Sequence, residues 1–174
     1  VLKNLAQNNQ ANQDAIREAG AIPHLVALLH DTSPWRQDAP LHALANLAKD
    51  NQANQDAIRG EAQAIPLLAA LLQSENLDIQ GSASAALESL AHDNQANQDA
   101  IRGEAQAIPR LVALFQSPDF RVKHHSFLAL ESLAANNLVN RQAIQSVIEG
   151  DELTQYVKQK MPELYALIFT GEHE

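Results

Sequence analysis

Asn9-Gln-Ala-Asn-Gln-Asp-Ala-Ile16 recurs unchanged as Asn51-Gln-Ala-Asn-Gln-Asp-Ala-Ile58 and as Asn94-Gln-Ala-Asn-Gln-Asp-Ala-Ile101. The copies start 42 and 43 residues apart, and a weaker copy, Asn137-Leu-Val-Asn-Arg-Gln-Ala-Ile144, follows after a further 43 residues. A fixed period of this length indicates a repeat array, in which each unit buries its apolar faces by stacking on its neighbours. Stacked units form a long surface rather than a deep pocket, so we expect binding to occur along that surface.

Each unit is predicted to contain three helices. In the unit that starts at Asn51, this residue is a good N-cap for a short helix, and Asn54 stands where a polar side chain can reach back as in a capping box. Gly60 can end that helix in the left-handed conformation. A second helix is expected to start at Pro66, where a missing N–H is tolerated, and a third to run over about residues 78–91.

The same pattern divides the whole chain. We predict repeat units at 9–50, 51–93 and 94–136, preceded by the end of a partial unit (1–8) and followed by a partial unit with a helical cap (137–174). Because the chain starts in the middle of a unit, we expect it to be a piece of a longer protein. The helical spacing leaves no room for strands, so the predicted fold class is all-α.

The third helix of the first unit departs from the pattern. Pro40 stands where this helix should already be running, so the helix is expected to start late, with Asp38 as its cap. Trp35, the sole tryptophan, has two interpretations: a binding hot spot, or a filler for the core position that Arg36 leaves empty. We favour the second interpretation.

Composition excludes several classes of function. The chain has 21 acidic and 12 basic residues and a formal net charge of -9, which argues against direct nucleic-acid binding and favours a basic partner or simply a soluble surface. The absence of cysteine excludes disulfides and thiol chemistry. No apolar run approaches the roughly 20 residues of a membrane span. No catalytic motif is present, so we expect neither an enzyme nor a cofactor.

The repeated phrases resemble those of the armadillo repeat family, and the match covers about residues 1–144. They are the asparagine-rich phrase together with Glu18-Ala-Gly-Ala-Ile-Pro23, Leu25-Val-Ala-Leu-Leu29 and Ala43-Leu-Ala-Asn-Leu-Ala48. The resemblance implies a right-handed superhelix, an α-solenoid of stacked three-helix units, whose third helices line a concave groove for extended peptides. It also favours an intracellular location, either cytoplasmic or nuclear.

The resemblance also implies where the groove residues lie. Importin-like members carry a tryptophan and, four residues later, an asparagine on each third helix. Here the asparagine position reads Asn4, Asn46, Ser89 and Ser132, and the tryptophan position reads His42, Ala85 and Leu128. Since the tryptophans are missing, a nuclear-import receptor of the usual kind is disfavoured. For Asn4 and Asn46, a residue at a helix end without a ligand is an equally good interpretation.

Helical spacing extends this set to a candidate groove with a middle of small residues and acidic edges. Its candidate residues are Asn4, Asp38, His42, Asn46, Lys49, Ala85, Glu88, Ser89, His92, Leu128, Glu131 and Ser132. The pair His124-His125 is a weak metal signal, and we expect two solvated side chains instead. The leading hypothesis is a module that binds an extended, basic peptide segment. The alternative is a scaffold that docks folded partners through its convex face or ends.

Overall fold

The computed structural model describes residues 2–170, which contain helices and no strand. The helices are α1 Leu2–Ala6, α2 Gln10–Glu18, α3 Ala21–Leu28, α4 Pro34–Ala48, α5 Gln52–Gly60, α6 Ala64–Leu71, α7 Leu77–Ala91, α8 Gln95–Gly103, α9 Ala107–Ala113, α10 Phe120–Ala134, α11 Leu138–Ile148, α12 Asp151–Lys160 and α13 Pro162–Tyr165. A 3-10 turn, Leu114–Gln116, follows α9, and a π-helix, Ala166–Thr170, follows α13.

Three successive helix triplets stack in chain order, α2–α4, α5–α7 and α8–α10. The third helices are the longest, with 15 residues each, and they pack side by side, α4 on α7 and α7 on α10. α1 packs against α4 and extends this row. The third helices therefore form a continuous ribbon, and the prediction of an all-α solenoid is confirmed.

One hydrophobic core runs through all layers. Leu44, Leu87 and Leu130 occupy the same position in α4, α7 and α10, and each is at most 1% exposed. The residue before each of them is a buried alanine, whose small side chain lets neighbouring helices approach closely. At the far end, Val157 and Leu164 are buried in the same cluster, so α12 and α13 cover the last layer.

Buried amide side chains join each layer to the next. Asn51, Asn94 and Asn137 cap their helices, as predicted, by accepting from the backbone N–H three residues on. Each of them also reaches back into the preceding layer. Asn94 Nδ2 donates to Gln55 Oε1 at 3.0 Å and to Asp56 Oδ1 at 3.1 Å. This cross-layer contact gives the repeated phrase a second role that capping alone does not explain.

The glutamine of the phrase satisfies the ends of the third helices. Gln55 Nε2 donates to the carbonyl oxygens of Ser89 and His92 at 2.9 and 3.2 Å, and Gln98 Nε2 donates likewise to Ala91 and Ser132. The last carbonyl groups of a helix have no partner within the helix. Gln55 therefore bonds the end of the third helix of its own triplet, and Gln98 bonds the third helix of its own triplet and that of the preceding one, which links helix termination to stacking.

Two details of the predicted short helix are wrong. The side chain of Asn54 does not reach back to the cap, because its Nδ2 donates to the Leu47 carbonyl at 2.9 Å. Gly60 does not adopt a left-handed conformation, since it is the last helical residue of α5. A residue with left-handed backbone is found instead between α4 and α5, at Asp50 (φ 53°). Aspartate tolerates this region better than most residue types.

The predicted late start of α4 is also wrong. The helix begins at Pro34 and contains Pro40 in its interior. Pro40 has no N–H for the Arg36 carbonyl, but it is buried within the helix, and we infer that this burial offsets the lost bond. Asp38 is therefore an interior residue of the helix and not its cap.

Pro40→Ala is expected to raise the free energy of unfolding by about 1 kcal/mol. An interior proline costs a helix about 3 kcal/mol, part of which is offset here by the buried ring. Alanine fits the site, because the equivalent residue of α7, Ala83, is fully buried. Urea unfolding followed by circular dichroism measures the change, and Pro34→Ala, at the first position of the same helix, serves as the control. An unchanged or lower stability for Pro40→Ala would contradict this account.

Candidate functional site

The ribbon of third helices contains a cleft of about 710 Å³ between α4 and α7. Its floor is made of small side chains, with Gly81, Ser82, Ala85 and Ser89 on α7 and Ala45 on α4. Packing does not require a glycine at position 81, because a Cβ atom there would lie 3.7 Å from Val122 Cγ2, an ordinary van der Waals contact. These five small residues leave the space between α4 and α7 unfilled.

Eight of the twelve predicted groove residues line this cleft. They are Asp38, His42, Asn46, Lys49, Ala85, Glu88, Ser89 and His92. The other four lie outside it on neighbouring helices of the same ribbon, Asn4 on α1 and Leu128, Glu131 and Ser132 on α10. The Asn46 and Ser89 side chains are half-buried rather than enclosed in the stack. Whether these residues bind a ligand stays a prediction.

Ion pairs organise the charged side chains of the cleft. His42 Nδ1 lies 3.1 Å from Asp38 Oδ1 within α4. Glu88 Oε2 on α7 lies 3.0 Å from the Nδ1 atom of His125 on α10. Each carboxylate thus has a histidine neighbour, and both carboxylates belong to the lining of the cleft.

Arg121 lies at the edge of the cleft and is held by two carboxylates. Its Nη2 atom donates to Asp78 at 2.7 Å and to Asp119 at 3.2 Å. The Asp78 bond is the main cause of the raised pKa of Arg121, and the Arg121 bond is the main cause of the lowered pKa of Asp119. The positive charge of Arg121 is therefore compensated on the protein.

The expectation that Trp35 fills the core is wrong. Its side chain is 91% exposed and lines the cleft. Since α4 starts at Pro34, Trp35 is the second helical residue, in register with the exposed residues Asp78 and Arg121. The core beneath is closed instead by Gln37, which is buried and donates to the Leu29 carbonyl at 2.9 Å.

The structure also corrects the expected pair of solvated histidines. His124 is exposed, and its ring stacks on Phe120 with centroids 5.7 Å apart. His125 is half-buried and pairs with Glu88. Within residues 2–170, no group of three or more His, Cys, Asp or Glu side chains is placed to hold a metal ion.

Several cleft residues were not predicted from the sequence. They include Pro34, Trp35, Asp50, Leu77, Asp78, Ser82, Arg121 and His125. The 43-residue register could have placed Asp78 and Arg121 together with Trp35. Contacts between helices, such as Glu88 with His125, depend on side-chain direction, which the repeat pattern does not give. None of the described helices is long and apolar enough to cross a lipid bilayer.

The Armadillo/beta-catenin-like repeat model matches residues 9–34, 51–92 and 94–135, more than half of the chain. No curated protein matches the chain. One similar solved structure is an engineered protein with a TM-score of 0.89 and 24% identity, and the match covers 98% of this chain and 72% of that chain. A second engineered protein has a TM-score of 0.85 and 27% identity, and the match covers 96% of this chain but only 40% of that chain. A designed armadillo repeat protein in complex with the peptide (KR)4 is also similar (TM-score 0.83, 22% identity, 96% and 69%).

Proposed function

Since the chain belongs to the armadillo/beta-catenin-like repeat family, whose repeats are protein-interaction modules, we propose that its third helices bind an extended, basic peptide segment. The proposal includes no catalytic step and no cofactor. The observation that carries it is the cleft between α4 and α7, with a floor of small side chains below the carboxylates of Asp38 and Glu88. The designed protein of the same fold in complex with (KR)4 supports a basic ligand.

The dimensions of the ribbon suit an extended chain. Packed helices lie about 9 Å apart, and an extended peptide advances about 3.3 Å per residue, so two or three ligand residues face each third helix. Asn46, at the centre of the α4 side of the cleft, offers a donor and an acceptor on one side chain. It is suited to bind the N–H and C=O groups of such a ligand.

Three peptides test the charge preference of the cleft. In each of them serine alternates with one other residue, which is lysine, glutamine or glutamate. The lysine peptide is expected to bind best and the glutamate peptide worst, with an affinity that falls as salt is added. Asn46→Ala is expected to weaken lysine-peptide binding about five-fold. Gln52→Ala, at an exposed residue outside the cleft, is the control. Equal and negligible binding of all three peptides, unaffected by Asn46→Ala, would overturn the proposal.

One observation favours the alternative, a scaffold that docks folded partners through its ends or convex face. Leu138 and Val139, the first two residues of α11, are 67% and 53% exposed and lie outside the cleft. Such a scaffold would bind none of the three peptides, and Leu138→Ser together with Val139→Ser would abolish its docking. The peptide experiment therefore separates the two proposals.

A further inference from the structure

Large apolar side chains lie at the N-terminal ends of the third helices, and two of them, Trp35 and Leu77, line the cleft. Leu77 and Phe120 are the first residues of α7 and α10, and Trp35 follows Pro34, the first residue of α4. They are 36%, 77% and 91% exposed. Three consecutive third helices thus present an apolar residue at their N-terminal ends, a row that we term the apolar edge. A purely basic ligand leaves the apolar edge uncovered.

The carboxylate next to Leu77 at the apolar edge is already compensated. Asp78 directly follows Leu77 and accepts from Arg121 at 2.7 Å. A charged ligand side chain therefore has less to gain at this edge than an apolar one.

The opposite side of the groove is acidic. Glu88 lies eleven residues after Leu77 on α7, a distance of about 16 Å along the helix axis, and Glu131 occupies the same register position on α10. Asp50, just beyond the C-terminal end of α4, also lines the cleft and is exposed. The other ionisable groups on this side are Lys49, His92 and His125. Apart from the histidines, the groups named on this side are three carboxylates and one lysine.

We propose that the groove selects an extended segment in which large apolar and basic residues alternate. Successive side chains of an extended chain point to opposite sides, so alternate residues reach the two sides of the groove. The apolar residues lie against Trp35, Leu77 and Phe120, and the basic residues lie towards Glu88 and Asp50. This inference rests on the proposed function and adds to it the sequence pattern of the ligand.

Four peptides of about eight residues, which span about 26 Å when extended, test the pattern. One alternates lysine with leucine, one alternates lysine with serine, and one alternates glutamine with leucine. The fourth has the composition of the first but repeats leucine every three or four residues, as on one face of a helix. Affinity is measured by the anisotropy of the labelled peptide, and the emission of Trp35, the only tryptophan, reports contact with the apolar edge.

The alternating lysine–leucine peptide is expected to bind about ten-fold more tightly than the lysine–serine peptide, because burial of an exposed aromatic side chain at an interface contributes strongly. Its binding should shift Trp35 emission to the blue, whereas the lysine–serine peptide should bind without this shift. The glutamine–leucine and helical-pattern peptides should both bind more weakly than the alternating peptide.

Trp35→Ala together with Phe120→Ala should reduce binding of the lysine–leucine peptide to the level of the lysine–serine peptide, whose own affinity stays unchanged. Leu138→Ala, another exposed apolar residue but outside the groove, should change neither affinity. If the lysine–serine peptide binds and the lysine–leucine peptide binds no more tightly, this inference fails while the proposed function stands. Equal affinity for the glutamine–leucine or helical-pattern peptide also overturns it. If neither lysine peptide binds, the proposed function fails as well.

Discussion

Asn94→Ala is expected to lower the free energy of unfolding by about 3 kcal/mol. Loss of an N-cap accounts for about 1 kcal/mol. The remainder comes from the buried side-chain oxygen of Gln55, Oε1, which loses its Asn94 donor. A buried polar group without a partner costs about 1–3 kcal/mol. Urea unfolding followed by circular dichroism measures the change.

Asn9→Ala is the matched control, because the same phrase surrounds Asn9 and its side chain also caps a helix by accepting from the Asn12 N–H. Asn9 is exposed, and the bonds described for its side chain do not cross to another layer. Asn9→Ala should therefore lower the free energy of unfolding by only about 1 kcal/mol. Equal destabilisation by the two substitutions would show that the cross-layer bonds of Asn94 contribute nothing.

A second readout isolates the cross-layer bond. The Asn94 side chain is the main cause of the lowered pKa of Asp56, with Arg59 contributing. A carboxylate whose pKa is lower in the folded state stabilises the fold above its unfolded pKa, and this contribution is lost as pH falls through the folded pKa. In Asn94→Ala the pKa of Asp56 should rise towards its ordinary value, as measured by carboxyl NMR titration. The pKa of Asp31, which is lowered mainly by the Ser33 N–H, should not change.

Glu88→Lys is expected to weaken binding of the alternating lysine–serine peptide about 50-fold. The substitution replaces attraction by repulsion in the lining of the cleft, where Glu88 is partly shielded from solvent. Charge pairs near a protein surface interact by up to about 4 kcal/mol, and a 50-fold change corresponds to a little more than half of that value. Isothermal titration calorimetry at low and high salt measures the loss, which should shrink as salt is added.

Glu149→Lys makes the same change in net charge at an exposed residue outside the cleft. It should leave the affinity within about two-fold of the unmodified protein, because surface charges farther apart than the Debye length are screened. Thermal unfolding of both variants verifies that they are folded. If both variants weaken binding equally, the loss of affinity comes from the change in net charge, and the position of Glu88 in the cleft does not contribute to it.

The sequence predicted the fold through features that are local and repeated. Asn51 and Asn94 cap their helices as expected because a cap needs only the backbone of the next turn. The long third helices and the shared core followed from apolar spacing that recurs with the period of the units. In these cases a single unit contains all the information that the prediction needs.

The wrong predictions concern residues whose conformation, burial or partners depend on parts of the chain beyond the local sequence. Pro40 remains within α4, where it is buried, so burial in the folded protein outweighs the local preference to break the helix. Trp35 was assigned to the core position that Arg36 leaves empty, but α4 starts at Pro34 and Trp35 is 91% exposed. The double role of Asn94 was missed because its second set of partners lies almost a full repeat earlier in the chain.

The central claim is that stacked layers leave one ribbon of third helices open to a guest peptide, and amide chemical-shift mapping tests it most directly. Isotope-labelled protein is titrated with the alternating lysine–serine peptide. We predict shifts concentrated on α4, α7 and α10, around Asn46 and Ser89, with α5 and α8 unaffected. Shifts confined to α5, α8 and the other outer helices, with Asn46 and Ser89 unmoved, would contradict the account.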